Sequence, residues 1–133
     1  MSPVAALRPA DAVPPYRLSM NVRMPGIGAL NTWWRAHLTP VLDAASADAG
    51  VILDCRSETY AKVWTPRGET AERTAAVRVW RDGPDGRTVV SHLAKHTRGL
   101  IARDLLMHGV EARTVPELAA LARHGRDIGL RFG

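Results

Sequence analysis

Between Val89 and Arg103 the apolar spacing changes character, and the change dictates much of what this chain can fold into. Val89 and Val90 are β-branched neighbours that suit a buried strand. From Ala94 onward the apolar positions follow a helical period, with Ala94, Thr97, Ile101 and Leu105 on one face and Leu100 beside them. The opposite face carries Lys95, Arg98, Gly99 and Arg103. Lys95, Gly99 and Arg103 are spaced i, i+4, i+8 and form one row. A glycine between two cations lets a partner approach the backbone while charge grips it from both sides, an arrangement that suits phosphate. The same pattern also describes the solvated face of an ordinary amphipathic helix.

The hairpin that feeds this helix is legible upstream. Residues 76–81 alternate apolar and basic, as a half-exposed strand should. Asp82-Gly83-Pro84-Asp85-Gly86 is a strong turn signal, and Arg87 to Ser91 returns as the partner strand. Downstream, Gly109 is expected to end the helix. Thr114-Val115-Pro116-Glu117 reads as a cap with a first-turn proline, opening a helix to about His124. Ile128 to Phe132 suggests a last strand.

Before the hairpin, residues 1–15 contain Pro3, Pro9, Pro14 and Pro15 and should be extended, because proline and its predecessor avoid helix. Met24 to Gly28 is a break. A helix is expected from Asn31 as cap, through Trp33, Trp34 and Leu38, to about Ala47. Pro40 either splits that helix or opens a second one. Val51 to Cys55 is a short buried strand, Ser57 caps a short helix, and residues 66–72 form a loop. The four tryptophans Trp33, Trp34, Trp64 and Trp80 read as core or half-buried packing.

At 133 residues the chain fits one domain, and 46% hydrophobic residues exclude wholesale disorder. The net charge of +5 favours polyanionic partners, nucleic acid first, while the few aromatics argue against a single-strand stacking platform. A single cysteine, Cys55, excludes a disulfide scaffold. Its strand position suggests a buried, unreactive thiol. No stretch approaches the roughly 20 apolar residues of a membrane span, and no signal peptide is evident. The expected location is cytoplasmic.

Four blocks, in order, carry a family resemblance. They are LRPADAVPPYRLSM (Leu7 to Met20), the helix beginning TWWRAHLT, LDCRSETYAKVW (Leu53 to Trp64), and VSHLAKHTRGLIARDLL (Val90 to Leu106). Together they resemble the second half of the YaaA family of bacterial peroxide-stress proteins. The resemblance implies a mixed α/β (α+β) fold with a central mixed sheet, a β-hairpin and flanking helices, and it implies DNA binding. Tyr16 and Arg17 match the first block. Ser57, Tyr60 and Lys62 match the third, and Lys95, Arg98, Gly99 and Arg103 the fourth. Ser19 stands where the family usually has Glu, and His96 and Thr97 where it has Lys and Ala. The family's opening strand and helical N-terminal region have no counterpart here. A short paralogue, a mis-started frame and one half of a split assembly all fit that observation.

Lys62 and Lys95 are the only lysines among 18 cationic side chains, and both fall in these motifs. The expected phosphate-binding set is Arg17, Lys62, Lys95, Arg98, Gly99 and Arg103, converging on one basic cleft. DNA is the expected partner, with a second copy or a companion chain as a further one; no cofactor and no membrane are expected. The alternative is an enzyme or small phosphorylated-ligand protein using the same cleft, with Lys62 activating Tyr60 or Ser57. The bland reading of those residues is a cap, an exposed acid and a packing tyrosine, and binding is favoured over catalysis. His92 and His96 have zinc-helix spacing but lack an apparent third ligand, so no metal is expected.

Overall fold

The computed structural model describes residues 7, 10–84, 86–89, 92–109 and 111–123. The expected strand at Ile128 to Phe132 lies outside them, as do Val90 and Ser91. From residue 11 to residue 19 the backbone has no regular structure and the side chains are exposed, as the prolines require. Arg23–Met24 (β1) and Gly28–Ala29 (β2) then pair antiparallel around the break at Pro25-Gly26.

Leu30–Ala47 (α1) follows directly, 18 residues long. It begins one residue before the expected cap: Ala29 occupies the cap position, and Asn31 instead accepts the Thr32 N–H on Oδ1 at 2.7 Å. Pro40 lies inside α1 without splitting it. It removes one i to i−4 bond, but both sides of that gap remain anchored. His37 Nδ1 sits 2.7 Å from the Trp33 carbonyl, and the Thr39 hydroxyl donates to the Arg35 carbonyl at 2.7 Å. Leu38 and Leu30 are buried on the same helix. At the far end Arg73 donates to the Ser46, Ala47 and Gly50 carbonyls at 3.1–3.3 Å. A cation thus satisfies the last carbonyls of α1 and complements its dipole.

Ile52–Asp54 (β3) pairs parallel with Thr74–Ala76 (β4). The connection between them carries two short helices, Glu58–Ala61 (α2) and Gly68–Glu72 (α3). Ser57 does occupy the cap position of α2, but its side chain makes no capping bond. The expected loop at residues 66–72 is partly helical instead. Pro66 and Gly68 look like breakers, yet Gly68 opens the turn and Glu69 places negative charge at its N-terminus. The expected strand at 76–81 is also divided. β4 ends at Ala76, and Trp80–Gly83 (β5) pairs antiparallel with Gly86–Val89 (β6). Val77 instead donates its N–H to the Asp54 carbonyl at 2.9 Å and is buried, so it stays with β3 and the core and not with the hairpin. The hairpin closes at Gly83 opposite Gly86, whose φ of +105° only glycine adopts freely.

His92–Met107 (α4) starts two residues earlier than the apolar period indicated, so His92 is helical and not at a strand end. Ala94, Ile101 and Leu105 are buried on its inner face; Lys95, Gly99 and Arg103 are exposed on the outer one. Gly109 ends the helix at φ +57°. Val115–Arg123 (α5) opens on a reciprocal cap. Glu117 accepts the Arg113 and Thr114 N–H groups, and Thr114 Oγ1 accepts the Glu117 N–H.

The core joins Ala75 and Val77, Ile101 and Leu105 of α4, and Leu118 and Ala122 of α5; Leu53 and Val79 pack against it. Each such Leu or Ile is worth roughly 1.5–3 kcal/mol when fully buried. The class is mixed α/β, with helices flanking a parallel strand pair and a separate hairpin. Among the described residues the strands form three two-stranded ladders.

Candidate functional site

The segment after β3 is arranged around Arg56. Its Nε and Nη2 donate to Asp54 at 2.9 and 2.7 Å, a bidentate pair. Nη2 also reaches the Trp64 carbonyl at 2.9 Å and Nη1 the Tyr60 carbonyl at 3.4 Å. The guanidinium lies 5.1 Å from the centroid of the Trp64 ring. Trp64 is buried, and its indole N–H donates to Asp43 of α1 at 2.7 Å. One arginine therefore folds residues 54–64 into a closed loop and sets it against α1. Burial pushes the Asp54 carboxyl up; the Arg56 hydrogen bonds and charge, helped by Arg98, outweigh it and hold the group below its ordinary value.

Cys55 is half-buried beside this pair. Its Sγ lies 3.9 Å from the Arg98 carbonyl, and burial together with the Asp54 charge pushes its thiol up against the opposing pull of Arg98. That environment disfavours the thiolate. Arg98 itself donates from Nε to the Val77 carbonyl at 3.1 Å. The third and fourth sequence blocks therefore meet, with Arg98 at the junction.

The other expected residues fall elsewhere. Lys62 is exposed, just past α2, and its carbonyl accepts Arg35 Nε at 3.0 Å. It lines a half-open cavity of about 240 Å³ with Arg35, Thr39, Asp43, Thr65 and Arg67, and no residue of α4 contributes. Lys95 and Arg103 are exposed on the outer face of α4, and among the described residues no ion pair engages either. Arg17 lies in the exposed N-terminal stretch. Among the described residues no hydrogen bond links Ser57 Oγ, the Tyr60 hydroxyl and the Lys62 amine, and no group of three or more His, Cys, Asp or Glu side chains is placed to hold a metal. Sequence reasoning did not single out Arg35, Asp43, Arg56 or Arg67. For Arg56 a signal existed: an acid and a base two apart at a strand end share one side of the chain.

Gly99 has a property that packing within the chain does not explain. A Cβ built there would meet nothing within 4 Å, and its φ is not positive. Glycine inside a helix costs up to about 1 kcal/mol relative to alanine.

These features define a basic protein of the mixed α/β class, and no helix among the described residues is long and apolar enough to cross a membrane. The chain belongs to the family described as peroxide stress protein YaaA, whose sequence model matches residues 6–127. A UPF0246 protein of Streptomyces coelicolor is 48% identical over 125 residues, covering 93% of this chain and 45% of the relative. UPF0246 proteins of Corynebacterium efficiens and Ralstonia nicotianae are each 35% identical, covering 88% and 78% of this chain and 46% and 42% of their own lengths. The chain thus spans a little under half the length of these curated relatives.

Proposed function

We propose that this chain contributes a nucleic-acid-binding surface to a YaaA-type peroxide-stress protein, gripping the phosphate backbone of DNA through the outer face of α4. The observation that carries the reading is Gly99: an exposed mid-helix glycine with open space above it, set between two cations that make no ion pair among the described residues. The fold does not need a glycine there; a close-approaching backbone would. Lys95 and Arg103 supply the charge. Arg98 is tied to Val77 and serves chiefly to position the helix. Arg17 and Lys62 are secondary contacts on this reading. Such contacts position a duplex without reading its sequence.

The test is DNA binding across a salt series. Affinity should fall steeply with salt and vary little between sequences, and Lys95→Ala should reduce the salt slope by about one unit without changing the melting temperature. Gly99→Ala should separate the two roles of its position, raising stability by about 0.5–1 kcal/mol while weakening DNA binding. Parent-like DNA affinity in both variants would remove the basis for the proposal.

A further inference from the structure

The cavity at Lys62 has a chemistry of its own, distinct from the α4 row. We propose that it is a binding site for a compact, hydroxylated phosphomonoester, of the size and kind of a pentose phosphate.

Three cations, Arg35, Lys62 and Arg67, line it together with one carboxylate, Asp43. No ion pair joins that carboxylate to any of them. Asp43 instead has its Oδ1 engaged by the Trp64 indole at 2.7 Å, which fixes its orientation and leaves Oδ2 as an acceptor. Three cations against one carboxylate leave the lining with a net positive charge, and a bound anion would relieve the cations' mutual repulsion. Arg35 is pre-set for this role, since its Nε bond to the Lys62 carbonyl holds the guanidinium at the cavity wall.

The acceptors distinguish the ligand from a bare anion. The Thr39 hydroxyl donates its proton to the Arg35 carbonyl, so its oxygen offers the cavity lone pairs. Asp43 Oδ2 offers more. A cavity lined by both donors and acceptors suits a phosphate attached to a carrier that has hydroxyl protons to give. The volume of about 240 Å³ lies below the roughly 300–1,000 Å³ of pockets for drug-sized ligands, which limits the carrier to a small one.

The experiment is calorimetric titration of the 133-residue chain with ribose 5-phosphate, ribose and inorganic phosphate, alongside the variants Lys62→Ala, Arg67→Ala, Asp43→Asn and Lys95→Ala. Saturable binding of ribose 5-phosphate, tighter than that of phosphate and absent for ribose, is the expected result. Lys62→Ala and Arg67→Ala should each weaken it about tenfold or more. The Lys62 side chain is exposed and its amine makes no hydrogen bond or ion pair among the described residues, so that variant retains the parent's circular dichroism and melting. Asp43→Asn should lower the affinity for ribose 5-phosphate toward that for phosphate. Lys95→Ala should leave both unchanged, which separates this site from DNA binding on α4. Absence of saturable binding by the parent chain up to about 10 mM, or parent-like binding by folded Lys62→Ala and Arg67→Ala, overturns the proposal.

Discussion

Arg56 satisfies a carboxylate and two carbonyls from one half-buried position and stacks near a buried indole. Removing its side chain leaves Asp54, only 10% exposed at the side chain, with the Arg56 backbone N–H but without its paired charge. Arg56→Met should therefore cost about 2–3 kcal/mol, read by urea denaturation. Adding Asp54→Asn to that variant should recover part of the loss, because the unpaired charge is gone. The pH dependence has a definite sign. Asp54 titrates below its ordinary value of 3.8 in the folded state, so its contribution is fully present above that value and disappears as pH falls through the lower, folded one. Asp54→Asn should flatten the acid limb of the stability curve below about pH 4. Cys55 behaves oppositely to a sensor thiol. Its raised thiol should be alkylated several-fold more slowly in the folded chain than in urea at the same pH, a difference a thiol-labelling time course reads directly.

At the scale of elements, two helices are finished by contacts of different reach. The start of α5 is closed locally by Thr114 and Glu117, three residues apart. Thr114→Ala should cost about 1 kcal/mol in thermal melts, and Glu117→Ala a similar amount. The end of α1 is closed by Arg73, at least 23 residues away in sequence. That difference in reach decided what could be foreseen. The capping box of α5 and the terminating Gly109 of α4 stand in the sequence as short motifs. Nothing near Ala47 announces Arg73, and nothing near Pro40 announces that α1 runs through it. The short helix at Gly68–Glu72 was hidden for a related reason: Pro66 and Gly68 are strong loop signals, and the backbone uses them at the helix entrance.

Across the whole molecule, the core cluster ties β4, α4 and α5 together with β3 packed against it, whereas α1 lies outside that cluster, burying its own Leu30 and Leu38 and adding polar links. These are the Trp64–Asp43 and Arg35–Lys62 bonds and the Arg73 carbonyl bonds. Hydrogen exchange should follow that division. Amides of β3, β4 and the inner turns of α4 should exchange slowest, and those of the β1–β2 ladder, two residues a strand, fastest. Uniform protection across all elements would contradict this account.

The sequence by itself determined the family and the mixed α/β class, through four blocks standing in order, and also the hairpin and the buried face of α4, because turn signals and helical spacing rest on residues within a few positions of one another. Periodicity and capping are local physics, and Ala94, Ile101, Leu105 and Lys95 fell where their spacing put them. Tertiary structure alone decided which charges are spent and which remain available. Lys62 and Arg98 looked equivalent as motif cations. The fold ties Arg98 to Val77 and sets Lys62 at a cavity with Arg35 and Arg67, partners 27 and five residues away. A side chain's charge is written in the sequence, but the groups that neutralise or leave it free are chosen by packing between distant segments.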